Sequence, residues 1–396
     1  MTEPKRIPGR RLLHSPGPTP LPDEVLHALM RQPMDLGDPR VGATIAACED
    51  GLRDLLQTAS ADVFFFGCNG HGAWEAAIEN LLPPGGTVLI PATGHFSESW
   101  AVQTEALGRR VIRTPWVEGL PIDPAVVKAA LQQDKSRDIA AVFVVHTDTA
   151  SGVTSDLAAL RAAIDAADHP ALLVVDVVAS LGAEPFAFDA LRADVAVGAS
   201  QKGLMCPPGI GFLACNAAAF AAAQRNPAPR FYWDIVQRKS PLSYRKFCGT
   251  PPQNLMAALQ AALGLIRLEG LPQVLARHRL LAGLVHAAVD GWREGGAVDF
   301  FARTPGCRSQ AVTTVTLPPG TDVDALRALA REQYQVAIAG GLGPLQGRAF
   351  RIGHLGDQNP GSVLGALAAV EAALGAQGIA LGQGGMRRAV VKLAGG

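Results

Sequence analysis

Lys202 closes the apolar run VAVGASQK and precedes Gly203 and the turn PPGIG, a position that holds the stem of a lysine in a cleft. A desolvated lysine is a nucleophile for a carbonyl, with which it forms a Schiff base. Two other groups occupy comparable places. Asp176 ends the run ALLVVD, 26 residues earlier, where a carboxylate either caps the next turn or faces a ligand. Gly70, His71 and Gly72, in FFFGCNGHGAWEAA, separate an apolar run from a helical stretch. Small residues there let backbone N–H groups approach an anion at the positive end of a helix, although the same glycines also suit a tight turn. A phosphate cradle, a strand-end carboxylate and an amine are together what pyridoxal phosphate requires. The loop takes its phosphate, the lysine its aldehyde, and the carboxylate keeps the ring nitrogen protonated so that the ring accepts carbanion electrons.

These residues need a scaffold that brings strand ends together. From residue 62 to about 215, short β-rich runs (DVFFFG, TVLIPA, RVIRTPW, AAVFVVHT, ALLVVDVV, VAVGAS, GIGFLACN) alternate with helix-periodic stretches. Several of the runs are apolar on both faces, as in a mostly parallel sheet covered by helices on both sides. Ligands of such sheets bind outside the carboxyl ends of the strands. The expected fold is α/β, with a large mostly parallel-sheet domain over 23–274 and a smaller α+β domain over 275–380. An irregular, proline-rich arm over 1–22 precedes them, and a loosely held tail over 381–396 follows. The stretch 254–296 is helix-periodic with one Gly-Leu-Pro break and carries the chain into the smaller domain.

Composition narrows the partners. Thirty-five basic and thirty-five acidic side chains cancel, so neither a nucleic-acid backbone nor an anionic membrane is favoured, and the ligand is expected to be small. The six cysteines show no closely spaced pair, so neither a zinc site nor a disulfide framework is expected. Reduced thiols, a start without an apolar signal core and the absence of an apolar run of about 18 residues give the expectation of a soluble cytoplasmic protein.

On these residues the chain closely resembles the class V aminotransferases, in particular the alanine–glyoxylate and serine–glyoxylate (serine–pyruvate) group. The likeness runs in order through SPGPTPLP, NGHGAWEAAIENLLPPGG, DVVASLGAEPF, GASQKGLMCPPGIGFL, GGLG at 340–343 and FRIGHLG at 350–356. The resemblance implies a fold-type I, homodimeric transaminase that moves an amino group from alanine or serine to glyoxylate or pyruvate by a ping-pong mechanism. It implies the cofactor on Lys202, Asp176 on the pyridine nitrogen, Gly70, His71 and Gln201 near the phosphate, and Phe96 and Val178 against the two ring faces. It also implies that Arg351 holds the substrate carboxylate, for which a planar guanidinium fork is suited.

Three departures from the family pattern stand out. Gly37-Asp38-Pro39 replaces the usual region around His-Arg, and Phe247 stands where relatives carry Tyr, leaving Thr250 to reach the neighbouring subunit's phosphate. HTDTASG has Asp148 and Ala150 where Glu and Ser are frequent, which leaves Thr149 as the hydroxyl near the cofactor oxygen.

Other readings are weaker. A nicotinamide dehydrogenase lacks support, since no Tyr-x-x-x-Lys occurs and no acidic residue ends TVLIPA. A cysteine desulfurase would carry His before the lysine, where this chain has Gln201. Ureidoglycine–glyoxylate exchange, aminoethylphosphonate–pyruvate exchange and a non-catalytic cofactor-binding role stay open, because a fold and a cofactor site do not fix the donor.

Overall fold

In the strand Leu172–Asp176, Leu173 and Val175 enter one hydrophobic core and Val174 enters another, so both faces of the strand are buried. The same alternation places Phe65 and Val144 in the first core and Phe66 and Phe143 in the second. These strands belong to a seven-stranded sheet in a computed structural model that describes residues 9–395. Its order is Asp62–Phe66, Gly211–Cys215, Val195–Ala199, Leu172–Asp176, Ile139–Val145, Thr87–Ile90, Arg110–Arg113. Only Gly211–Cys215 runs against its neighbours. Helices Pro39–Leu56, Pro124–Gln133, Leu157–Ala166 and Gln253–Glu269 feed the first core, and Gly70–Leu81, His95–Ala106 and Ala217–Arg225 feed the second. The seven runs read as strands are the seven strands of this sheet.

The long helical stretch is two helices, Gln253–Glu269 and Leu271–Trp292, broken at Gly270, whose φ is 86°. Val274 still packs in the large core, whereas Leu281 to Trp292 belong to a third core under a five-stranded sheet. That sheet has the order Leu12–His14, Val336–Gly340, Ala349–Gly353, Val312–Thr316, Asp299–Phe300.

Two expectations are corrected. Residues 1–22 do not form a separate irregular arm within the described residues, because Leu12–His14 pairs in parallel with Val336–Ile338 as an edge strand of the small sheet. The segment 381–396 is not a loose tail over its described part. Gly385–Gly395 is a helix whose Ala389 is buried in the small core, and a Cβ on Gly291 would lie 2.6 Å from Gly385 Cα, so two glycines permit the contact. Glu371 fixes the junction by accepting from Trp292 Nε1 at 2.6 Å and Met386 N at 3.0 Å. No single helix among the described residues is long and apolar enough to cross a membrane.

Candidate active site

Asp176 is the last residue of its strand and pairs in register with Val197 of the strand Val195–Ala199, which ends three residues before Lys202. The pairing sets carboxylate and lysine side by side at the carboxyl end of the sheet. They share a cavity of about 300 Å3, whose wall includes Gly17, Asn69, Trp74 and Phe96.

Lys202 is covered by the N-terminal segment. Its Nζ donates to Pro16 O, and Thr19 Oγ1 donates to Lys202 O at 3.0 Å. Burial, then the charge of Arg351, pushes the Lys202 amine down to about 8, with Asp176 opposing. A free amine is therefore within reach near neutral pH.

Asp176 is buried. Trp74 Nε1 donates to its Oδ2 at 2.9 Å and Val178 N to its Oδ1 at 2.6 Å. Burial pushes the carboxyl up to about 7; the two donors and Lys202 work against that shift, and Asp148 adds to it. A ring cation would find an anion held in place by two bonds.

The anion cradle comes from the start of helix Gly70–Leu81. Asn69 caps it, accepting from Gly72 N at 3.3 Å, and the helix itself offers no acceptor to the N–H groups of Gly70 and His71. A Cβ on Gly72 would lie 2.5 Å from Cys68 Cβ, so that position requires glycine, while one on Gly70 would make only an ordinary contact with Val178 at 3.4 Å. His71, exposed, lies 3.2 Å from Ser99 Oγ through Nε2. Partial burial and His95 lower its basicity.

Phe96, Val178, Thr149 and Gln201 line the cavity as well. Asp148, one of the departures, is wholly buried and accepts from Phe96 N at 2.9 Å, Ala150 N at 2.9 Å and Thr93 Oγ1 at 3.3 Å. It thereby ties the start of the helix His95–Ala106, which carries Phe96, to the turn carrying Thr149. Gln201 Oε1 is buried without a partner among the described residues, an amide that a bound polar group would complete.

Arg351 approaches from the small domain. It lies on the strand Ala349–Gly353, and its guanidinium donates to Gly340 O at 2.7 Å and across the domain boundary to Thr149 O at 2.9 Å. It stands behind Thr149 rather than in the cavity wall. Burial lowers it to about 10, with Asp148 opposing, so it remains a cation at neutral pH.

Thr250 is exposed and is not part of this wall. Phe247 is buried, its ring stacked on Phe65 at 6.2 Å, and so serves the core instead of offering a hydroxyl. Gly37-Asp38-Pro39 starts the helix Pro39–Leu56, with Asp38 capping Arg40 N at 2.9 Å. Arg40 lines a separate cavity of about 450 Å3 with Arg31, Met34 and Gln253.

The wall also contains residues that the sequence did not single out: Gly17, Pro18, Asn69, Trp74 and Thr147. Trp74 follows Gly70 by four positions, the spacing that keeps two residues on one helix face. The set fits pyridoxal phosphate. It offers an amine and a carboxylate at adjacent strand ends, an uncommitted helix start for a phosphate, and an unpartnered buried amide.

Residues 11–345 match the family model for aminotransferase class V. The chain is 38% identical to the L-aspartate–glyoxylate aminotransferase of Paracoccus denitrificans, covering 93% of each. It is 37% identical to the serine–glyoxylate aminotransferase of Methylorubrum extorquens, covering 93% of this chain and 92% of that one. The crystal structure of ureidoglycine–glyoxylate aminotransferase from Bacillus subtilis superposes with a TM-score of 0.89 at 25% identity, covering 99% of this chain and 100% of that one.

Proposed function

The chain belongs to the class V aminotransferases and is a pyridoxal-phosphate-dependent enzyme, and from that premise we propose that it moves the amino group of alanine or serine to glyoxylate or pyruvate with Lys202 as the amine that bonds the cofactor. The observation that carries this reading is the convergence of Lys202, Asp176 and the helix start at Gly70 on one cavity. Glyoxylate as acceptor is supported by the names of both relatives, which differ in donor. A short donor is supported by the wall itself, where Gly17, Pro18, Thr147, Thr149 and Pro208 are small or compact.

The cofactor, when bound, supplies an electron sink for the α-carbon of an attached amino acid. The chain supplies the rest. The N–H groups of Gly70 and His71, with Gln201, would hold the phosphate, Asp176 would pair with the ring nitrogen, and Phe96 and Val178 would flank the ring. Arg351 receives the substrate carboxylate and so orients the α-carbon. Lys202 Nζ, low in basicity and sheltered by Pro16 and Gly17, would take the α-proton once the substrate amine has displaced it from the cofactor, and would return it on the cofactor side. The exposed Thr250 supports a homodimer in which its hydroxyl serves the neighbour's phosphate, and six unpaired cysteines support a cytoplasmic location.

The test is a half-reaction screen that follows the cofactor's absorbance as single amines are added. Alanine or serine should convert it to the amine form, and glyoxylate should restore it. Conversion by ureidoglycine or aminoethylphosphonate alone would overturn the substrate assignment. Borohydride reduction followed by peptide mapping should mark Lys202.

A further inference from the structure

Trp74 lies one turn inside the helix Gly70–Leu81 and is 2% exposed. Its indole Nε1 gives its hydrogen to Asp176 Oδ2 at 2.9 Å, and an indole nitrogen can only donate. The ring is itself fixed. It stacks on Trp100 with centroids 5.3 Å apart and planes 10° apart, and Trp100 stacks at 4.5 Å on Phe143 of the strand Ile139–Val145. His71 lies against it at 4.6 Å, and Phe96 meets it edge-on at 6.3 Å. A rigid aromatic wall thus delivers one donor to one carboxylate oxygen.

We propose that Trp74 is a positioning residue of this active site, whose indole N–H fixes the orientation of Asp176 and keeps it an anion for the cofactor's ring nitrogen. This rests on the reading that Asp176 faces that nitrogen. The groups that bear on the carboxyl come from every side. Burial and Asp148, on the short strand Thr147–Asp148, favour the neutral form, while Val178 N, Trp74 Nε1 and Lys202 favour the anion. Trp74 is the only side chain among them that bonds the carboxylate directly, and so the one that can be removed cleanly.

Trp74→Phe keeps a ring in the stack and deletes the donor, while Trp74→His returns a ring N–H. Both are made alone, and Trp74→Phe is also made in an Asp176→Asn background. The affinity of the cofactor-free protein for pyridoxal phosphate is measured across the neutral pH range, with thermal midpoints to show that each variant is folded. Trp74→Phe should weaken affinity about tenfold, the scale of one hydrogen bond to a charged group. It should also move the acid limb of affinity upward by about one pH unit, the same factor expressed as a pKa. Trp74→His should recover part of both effects, and in the Asp176→Asn background Trp74→Phe should add little.

If Trp74→Phe leaves affinity and acid limb unchanged while Asp176→Asn loses the cofactor, Trp74 has no positioning role and the ring-nitrogen reading stands. An equal loss on both backgrounds would also overturn the proposal, since it would then come from packing. If Asp176→Asn binds the cofactor like the wild type, the reading of Asp176 falls and the role of Trp74 with it.

Discussion

Gly17 and Lys202 occupy a single space: a Cβ on Gly17 would lie 2.5 Å from Lys202 Nζ and 2.6 Å from Cε, and Gly17 itself sits at a φ of 110°. Gly17→Ala therefore meets a backbone penalty of about 1–3 kcal/mol and also displaces the lysine stem. Because the obstacle is the end of a flexible side chain, the fold should survive and the cofactor should suffer. The expected outcome is a thermal midpoint lowered by a few degrees together with a steep fall in bound cofactor per chain after dialysis. Full cofactor content in a folded Gly17→Ala variant would show that Lys202 does not need this contact.

Lys202 makes a second test possible in the cofactor-free protein. Its amine is held at about 8, below the ordinary 10.5, and only the unprotonated form attacks the aldehyde. The rate of pyridoxal phosphate capture, followed by absorbance, should rise about tenfold per pH unit below that value and level off above it. Lys202→Arg should show no capture at any pH. A rate that keeps climbing to the pH of an ordinary lysine would mean that the burial seen here is relieved in solution.

How much of this was legible in the sequence depends on the range of the forces involved. Six of the seven strands announce themselves because both-face burial leaves continuous apolar runs, whereas the edge strand Arg110–Arg113 is largely exposed, and Asp176 and Lys202 stand out as polar residues that close such runs. Leu12–His14 is only three residues long and owes its strand to pairing with Val336–Ile338, more than 300 residues away. The glycines of GQGG at 382–385 suit the start of a loosely held tail, yet Gly385 is what lets the last helix approach Gly291. Nothing local marks Trp74, because its partner Asp176 lies 102 residues on. Arg351 reaches the site region only through the docking of one domain on the other, which no local pattern encodes.

Arg351 offers a prediction that separates substrate from cofactor. Its two bonds to Gly340 O and Thr149 O hold the guanidinium at the domain boundary, and lysine cannot reproduce both. Arg351→Lys should raise KM for the amino acid and the keto acid together, by about tenfold or more for a lost bond to a charged group, while leaving cofactor absorbance intact. Arg351→Ala should be more severe on the same two constants. A change confined to one of the two substrates would show that the carboxylate is held elsewhere.

The small domain should be sensitive to acid through four histidines. His14 Nδ1 lies 2.9 Å from Gly353 O, and His278 Nδ1 lies 2.8 Å from Val274 O. His354 lies 3.0 Å from Thr313 Oγ1, and His286 stands edge-on to His354 at 6.3 Å. Burial lowers all four, His278 and His286 to about 4, from the ordinary 6.5. Between those values the unfolded chain binds protons that the folded chain refuses, so their contribution to stability is intact above 6.5 and falls as the pH drops through that window. Asp176 and Glu184, raised by burial to about 7 and about 6, act with the opposite sign, since there the folded form takes the proton first. The wild-type curve sums both, and the informative quantity is a difference. His286 Nε2 has no partner among the described residues, so His286→Phe removes a titrating group without breaking a bond at that atom. Relative to the wild type, it should gain up to about 1.4 kcal/mol of unfolding free energy per pH unit as the pH falls from 6.5 toward 4, read from urea midpoints on cofactor-free protein. Parallel pH curves for the two proteins would mean that His286 titrates normally and that the imidazoles do not limit stability in acid.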